Sequence, residues 1–238
     1  MPTMTIATPR FLTSLRAIQH LPSNSWYYLA SVAFAVLNRP SEIPAIYTDA
    51  LSVPSTPRES PAVILNRTRE ALLKASAIGG LPSTINALNA LKTVAPPELL
   101  DAPSPTARSD GVSMGKGQQL WESIYGKVGP RVMSGMRRSY NDLGTVALLL
   151  YAGVLAEETV LAKKETGWVL VAGLVTGGEA WAAQRKGHRR YVILWRVLGE
   201  CQVVIGCLRV CLGGASIMGL LGRRSRQWKL WPGGLWRR

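Results

Sequence analysis

The sequence predicts an all-α protein. Apolar residues recur at helical spacing through the first 184 residues, where patterns typical of β-strands are nearly absent. Proline- and glycine-rich turns separate the periodic segments. The chain has 238 residues, of which 47% are hydrophobic and 18% charged, and its mean hydropathy is +0.10. This composition supports a packed core and excludes a wholly disordered chain.

Two helices and a loop are predicted in the N-terminal quarter. Ser25–Asn38 reads as an apolar helix that Arg39 and Pro40 stop, and Ser41–Leu51 as a shorter helix with Ser41 as its N-cap. Val53–Pro61 contains three prolines and is predicted to be a loop.

The clearest helix is predicted over Ala62–Ile78. Gly79, Gly80 and Pro82 end it, and a second helix follows over Thr84–Thr93. The first helix has an apolar stripe formed by Leu65, Leu72, Leu73 and Ile78. Its predicted polar surface is formed by Arg67, Arg69, Glu70 and Lys74.

A long loop over Ala95–Gly117, rich in proline and glycine, precedes a second helical block. The helices predicted in this block are Gln118–Tyr125, Pro130–Arg138, Leu143–Leu155 and Glu157–Val175. Leu143–Leu155 is apolar nearly all round and too short to span a bilayer, so we expect it to be the most buried element.

The net charge of +14 is concentrated at the C-terminal end. From Arg185 onward there are 12 basic residues and a single acid, Glu200, which leaves the first 184 residues with a charge of only +3. Val203–Gly222 is the best candidate membrane span, but its glycines and its central Arg209 make it a poor one. No signal peptide is recognised, so an intracellular location is expected, with cytoplasm, mitochondrion and peroxisome all open.

Chemistry-bearing motifs are few. The three cysteines, Cys201, Cys207 and Cys211, form neither a disulfide framework nor a C-x-x-C motif nor a zinc site, so no metal and no cofactor is predicted. Glu165 and His188 could form a proton-transfer pair if the fold brings them together. Alternatively, Glu165 pairs with Lys163 and Lys164, and His188 is an exposed loop residue.

The segment from Thr68 to Lys92 resembles the signature of the carboxymuconolactone decarboxylase-like, or AhpD-like, superfamily, in particular its fungal branch. The similarity continues from Trp121 through Leu143–Tyr151 to Leu174, and it covers roughly residues 11–188. It implies an all-α helical bundle whose protomers assemble as trimers or hexamers. It also places Glu165 at the position of a catalytic glutamate and His188 at that of a histidine.

The resemblance has two departures. Peroxidase members carry a C-x-x-C between the glutamate and the histidine, whereas this chain has no cysteine there, which argues against Cys-dependent peroxide reduction and leaves lactone decarboxylation open. The likeness stops after His188, where the composition becomes rich in Trp, Arg and Gly. We therefore predict an N-terminal extension over 1–61, an AhpD-like domain over 62–188 and an atypical, poorly packed tail over 189–238, frame-shifted or intron-derived.

Three functions stay open. The first is a cofactor-free acid–base enzyme acting on a small organic substrate, with Glu165 and His188 as the catalytic pair. The second is a non-catalytic, self-associating helical scaffold. The third, least favoured, is nucleic-acid or anionic-membrane binding through the basic tail. If the fold is the expected bundle, Glu165 should be partly buried near Tyr151 or His188 rather than project into solvent.

Overall fold

A computed structural model describes residues 5–18, 24–53, 58–101, 103–106, 108 and 111–177, together with the backbone of 229–230 and 236–237. The α-helices in this part are α1 (Pro9–Arg16), α2 (Trp26–Val36), α3 (Ile43–Ser52), α4 (Pro61–Lys92), α5 (Pro97–Leu100), α6 (Met114–Tyr125), α7 (Gly129–Ser139), α8 (Asn141–Leu150) and α9 (Lys163–Thr176). Single 3-10 turns cover Pro40–Glu42 and Gly126–Val128, and a π-helical turn covers Tyr151–Leu155.

The all-α prediction is confirmed. Within the described residues, extended structure is limited to β1 (Lys229–Leu230) and β2 (Trp236–Arg237), which pair antiparallel with Leu230 opposite Trp236. The other tail residues, including the Val203–Gly222 candidate span and the three cysteines, lie outside the described part of the chain. Within that part, every helix is too short or too polar to cross a bilayer.

The main core forms around α2, which packs against α4, α9 and α3. Every residue from Tyr27 to Ala35 is buried, with Tyr28, Val32 and Phe34 at its centre. Because α2 is apolar on all sides and is enclosed by three helices, its burial stabilises this core through the hydrophobic effect. The boundaries predicted at residues 61 and 188 stay predictions, although α2 and α4 share this core.

The helix predicted over Ala62–Ile78 and the one predicted over Thr84–Thr93 are the two halves of α4. Ser60 caps the first half by accepting a hydrogen bond from the Val63 N–H at 3.3 Å, and Pro61 occupies the first turn. Gly80 breaks the helix at φ 78° and ψ 165°. Only glycine adopts these angles readily, and Pro82 then starts the second half. The predicted break between the two helices is thus confirmed.

Several predicted boundaries shift. Ser41 lies inside the 3-10 turn and does not cap α3, because Pro40 already starts a helical turn there. The 95–117 loop contains α5 and loses its last residues to α6, whose N-cap is Ser113. The helix predicted to begin at Glu157 begins at Lys163, since residues 157–162 form a turn held by side-chain contacts.

The prediction that Leu143–Leu155 is the most buried element is wrong. This segment forms α8, which packs on α6 and α7, and the π turn, which packs on α6 and α4. Leu143, Val146, Leu149 and Leu150 remain 39–49% exposed. A helix that is apolar all round is expected at the centre of a protein, but α2 already holds that place here. An apolar outer face of α8 is therefore left open to solvent.

We predict that Gly80→Ala lowers the free energy of unfolding by about 1–3 kcal/mol, because alanine is strained at the φ of 78° that this position requires. Gly115→Ala is the matched control, since Gly115 lies in α6 and an added Cβ meets nothing closer than the Ser113 hydroxyl at 3.8 Å. Urea denaturation of both variants measures the difference. Equal stability of the two variants would contradict the strained break.

Candidate functional site

Glu165 lies in the first turn of α9, where the backbone N–H groups of a helix lack intrahelical acceptors. Its Oε2 accepts a hydrogen bond from the Ala162 N–H at 3.0 Å. Because Ala162 has no side-chain acceptor of its own, the Glu165 carboxylate is the group that caps this end of the helix. One carboxylate oxygen is thereby fixed by the local sequence.

The other oxygen of Glu165 faces α2 and α4. Its Oε1 accepts hydrogen bonds from the Tyr28 hydroxyl at 3.2 Å and from the Arg67 guanidinium. The Glu165 side chain is 19% exposed, so the predicted partial burial is confirmed. The hydroxyl beside it, however, is that of Tyr28, whereas the Tyr151 hydroxyl donates to Tyr125 at 3.3 Å.

The lysines next to Glu165 do not pair with it. Lys163 and Lys164 are exposed, and the Lys164 ammonium lies 5.6 Å from the ring centre of Trp168. The alternative that Glu165 answers its neighbouring lysines is therefore wrong: its cation comes from α4, 98 residues earlier in the chain.

Arg67 joins two carboxylates. It donates to Glu59 at 2.7 Å as well as to Glu165, and its guanidinium lies 5.1 Å from the centre of the Tyr28 ring. The Tyr27 hydroxyl donates to the second oxygen of Glu59 at 3.1 Å. These five residues, Tyr27, Tyr28, Glu59, Arg67 and Glu165, are called the Arg67 cluster below.

The electrostatics of the Arg67 cluster keep its tyrosines neutral. Burial, with the nearby Glu59 and Glu165 charges, raises the pKa of Tyr27 and of Tyr28 far above the ordinary value. Burial opposes the positive charge of Arg67, but the Glu165 and Glu59 charges favour it, and the pKa of the guanidinium is raised. Both tyrosines therefore act as hydrogen-bond donors to the carboxylates. The buried Arg67 Nε has no hydrogen-bond partner among the described residues.

A second network surrounds Lys74, which is fully buried. Its ammonium donates to the Leu155 carbonyl at 2.9 Å, to the Glu157 carbonyl at 2.5 Å and to the Thr166 hydroxyl at 2.8 Å. Three acceptors satisfy its three N–H groups, so the charge is buried without an unpaired donor. Burial, only partly offset by Glu70, lowers the pKa of Lys74 to about 8.

Glu70 and Arg108 complete this second network. The Arg108 guanidinium binds both Glu70 oxygens, at 2.7 and 2.6 Å, and also donates to the Gly153 and Val154 carbonyls at 3.0 and 2.9 Å. The Lys74 ammonium lies 3.6 Å from Glu70. The carbonyl groups at the end of the π turn lack hydrogen-bond donors within the helix, and they accept hydrogen bonds from Lys74 and Arg108 instead.

The polar surface predicted for the Ala62–Ile78 helix is wrong at Glu70 and Lys74, which are buried, and Arg67 is also largely enclosed. A charged side chain is expected to be exposed to solvent unless it has buried hydrogen-bond partners. The groups that accept hydrogen bonds from the buried Lys74 ammonium lie 81 to 92 residues away in the sequence. The residues near Lys74 in the sequence therefore do not indicate these hydrogen-bond acceptors. The sequence did single out Glu165 but missed Tyr28, Arg67 and Lys74.

His188 lies outside the described residues, so its pairing with Glu165 stays a prediction. Across the described ranges, no group of His, Cys, Asp and Glu side chains has the arrangement of a metal site. What the described part presents at Glu165 is a partly exposed carboxylate that accepts hydrogen bonds from a guanidinium and a phenol.

Two curated proteins resemble this chain. The protein named Peroxisomal protein 2 of Schizosaccharomyces pombe is 35% identical over 150 residues, which cover 63% of this chain and 68% of that protein. The protein of the same name from Saccharomyces cerevisiae is 27% identical over 212 residues, covering 64% of this chain and 75% of that protein. Neither a family model nor a solved structure matches the chain.

The lowered pKa of Lys74 predicts a pH-dependent stability. Between its folded value of about 8 and its unfolded value of 10.5, the unfolded chain binds more protons than the folded one, so this group's contribution to stability rises with pH. From pH 7.5 to 9.5 we expect the wild type to gain roughly 2 kcal/mol relative to Lys74→Met, which has no such group. Urea denaturation at several pH values measures this difference.

The comparison with Lys74→Met removes the titrations that both proteins share. The raised tyrosine pKa values act in both proteins and only at higher pH, so they cancel in the difference. We also expect Lys74→Met to be less stable at pH 7.5, because it leaves the Leu155 and Glu157 carbonyls without their donor. A stability gap that does not change with pH would show that Lys74 is not the titrating group.

Proposed function

The chain belongs to the Peroxisomal protein 2 family, and from that membership we propose that it is a peroxisome-associated helical protein with a cofactor-free acid–base site at Glu165. The names of both relatives support the peroxisomal part of the proposal. The resemblance of residues 11–188 to the AhpD-like superfamily supports the chemical part, because it puts a catalytic carboxylate at the position of Glu165.

The observation that carries the proposal is the setting of the Glu165 carboxylate. Arg67 and Tyr28 both donate to its Oε1, the Ala162 N–H fixes its Oε2, and about a fifth of the side chain still reaches solvent. A carboxylate held in one orientation but accessible at its edge can remove a proton from a bound substrate. His188 remains the candidate that returns the proton.

The ion pairs around Glu165 are compatible with such a proton transfer. When Glu165 takes up a proton, Arg67 keeps its hydrogen bond to Glu59 at 2.7 Å, so no buried cation is left unpaired. Cysteine-dependent peroxide reduction receives no support, since no cysteine lies between Glu165 and His188. The proposed substrate is a small organic acid or carboxylactone that loses CO2, and the Glu165–His188 pair moves the proton that replaces CO2 on the substrate carbon.

The second candidate function is a non-catalytic scaffold that self-associates. The exposed apolar face of α8, with Leu143, Val146, Leu149 and Leu150, favours it, because monomeric proteins rarely leave such a face uncovered. Trimers or hexamers are the assemblies that the superfamily resemblance implies. The structural hydrogen bonds of Glu165 would be equally useful in a scaffold, so only activity separates the two candidates.

Glu165→Gln tests the catalytic proposal. The assay follows CO2 release from 4-carboxymuconolactone and from a set of 3-oxo acids by the full chain. We expect the variant to lose about 100-fold or more in kcat while KM changes little, because CO2 leaves its bonding electron pair on the substrate carbon and the amide can neither take up nor pass on the proton that this carbon needs. The glutamine oxygen can still accept the Tyr28 and Arg67 hydrogen bonds, and only the Ala162 N–H at the first turn of α9 loses its acceptor, so circular dichroism should be essentially unchanged.

Glu158→Gln is the matched control, since Glu158 is exposed and lies in the turn before α9. It should retain wild-type kcat. Release of CO2 no faster than in buffer, by a protein that sediments as a trimer or hexamer, would refute the enzyme and favour the scaffold. Equal activity of the two variants would refute Glu165 as the catalytic group.

Association with peroxisomes is tested in living yeast cells. A fluorescent protein fused to the N-terminus should colocalise with a peroxisomal membrane marker, and the signal should become diffuse in cells that lack peroxisomal import. A diffuse signal in cells with normal peroxisomes would contradict the association. This outcome is independent of Glu165, because the imported protein need not be active.

A further inference from the structure

A cleft of about 760 Å³ opens between α4 and the segment that follows it. Its apolar wall is formed by leucines from both halves of α4, which include Leu65, Leu73, Leu88 and Leu91. The opposite side is formed by Pro97, Leu100, Asp101 and residues 103–106. This volume lies within the range of sites that enclose small organic ligands. Such sites are mostly apolar and carry a few polar groups that orient the ligand.

The cleft is distinct from the Arg67 cluster, since neither Arg67 nor Glu165 lines it. Successive residues of a helix point about 100° apart, so Leu65, Arg69 and Leu73 share one face of α4. Arg67 and Lys74 lie on another face, which is turned towards Glu165 and Thr166. The helix thus presents Arg67 and Lys74 on one side and the cleft on the other, and the Glu70–Arg108 pair of the second network lies in the cleft wall.

Two charged residues of the cleft wall, Glu70 and Arg108, form an ion pair with each other. Arg108 uses four hydrogen bonds on Glu70 and on the Gly153 and Val154 carbonyls, and Glu70 is 4% exposed. This pair is neutral as a unit and stabilises the wall. It leaves little capacity for a ligand, because a guanidinium has only five N–H groups.

Arg69 and Lys92 have N–H groups that are available to a ligand. Among the described residues, Arg69 makes one long hydrogen bond, to the Leu99 carbonyl at 3.3 Å, and Lys92 makes none. Asn66 and Asn89 also line the cleft. The remaining charged residue of the cleft, Asp101, is exposed. Apart from the Glu70–Arg108 pair, the charges of Arg69, Lys92 and Asp101 sum to one net positive charge. The polar rim therefore offers donors to an anion beside an apolar wall.

We propose that this cleft binds an organic carboxylate with an apolar body. Arg69 and Lys92 bind the carboxylate, with the Asn66 and Asn89 amides as further donors, and the α4 leucines contact the apolar part. A guanidinium presents paired N–H groups that match the two oxygens of a carboxylate, which makes Arg69 the principal anchor. Burial of the apolar body against the leucines adds the hydrophobic contribution.

Isothermal titration calorimetry of the full chain with decanoate tests the proposal. Decanol and decylamine, which keep the apolar body but replace the anionic head, are the matched ligands. We expect saturable 1:1 binding of decanoate, binding of decanol weaker by about 10-fold, and none of decylamine. Decylamine binding as tight as decanoate would overturn the proposal, because it would show that charge does not select the ligand.

Variants locate the site. We expect Arg69→Gln to weaken decanoate binding by about 10-fold or more and Lys92→Gln by a smaller factor. Asn89→Trp should abolish binding by filling the cleft from an exposed position, which spares the core. Arg131→Gln, at an exposed residue of α7, removes one positive charge elsewhere and should bind like the wild type. Equal affinities of Arg69→Gln and Arg131→Gln, or no saturable binding by the wild type, would refute the site.

Failure of decanoate binding can be distinguished from failure of the proposed catalytic function, because Glu165→Gln should bind decanoate with wild-type affinity. Loss of decanoate binding in that variant would show that the ligand uses the Arg67 cluster rather than the cleft. Catalytic inactivity of Glu165→Gln together with intact decanoate binding would leave both inferences standing.

Discussion

The buried ammonium of Lys74 is the constraint on which the arrangement of the helices depends. Removing a lysine charge from water costs several kcal/mol unless every N–H group finds an acceptor. Here the acceptors are the Leu155 and Glu157 carbonyls and the Thr166 hydroxyl, which belong to the end of the π turn, the turn after it and the start of α9. These segments must therefore meet around one atom of α4. That meeting point joins the α2–α4–α9 core to the smaller apolar cluster around Leu120 and Leu155.

The position of Glu165 follows from this constraint. Thr166 is tied to Lys74, so its neighbour Glu165 is carried to the side of α4 that presents Arg67. The two ion networks thus meet at the first turn of α9. Together they contain three acidic groups, Glu59, Glu70 and Glu165, and three basic groups, Arg67, Lys74 and Arg108. Their charges balance, which places the excess positive charge of the chain outside this interior.

The sequence predicts local features well and long-range ones poorly. The break at Gly80 and the cap at Ser60 depend on neighbouring residues, and a helical period with proline and glycine punctuation is enough to indicate helices. Apolar periodicity does not say which of two apolar helices is central, so α8 was expected where α2 lies. Glu165 was a candidate as one half of a predicted proton-transfer pair, and the AhpD-like resemblance in the sequence added to it, whereas Arg67 and Lys74 were expected to be surface residues. Their burial depends on partners that only the folded chain brings near.

Charge balance also bears on what Glu165 can do. In an interior where each ion has one partner, protonating a carboxylate leaves its cation unpaired at a cost of several kcal/mol. Arg67 has two carboxylate partners, with Glu59 bound at 2.7 Å and less exposed than Glu165. Loss of the Glu165 charge therefore leaves Arg67 paired and changes the Arg67 cluster from one net negative charge to none. Glu70 has no such freedom, because Lys74 and Arg108 both depend on its charge. Of these three carboxylates, Glu165 is the one that combines access to solvent with a cation that tolerates its protonation.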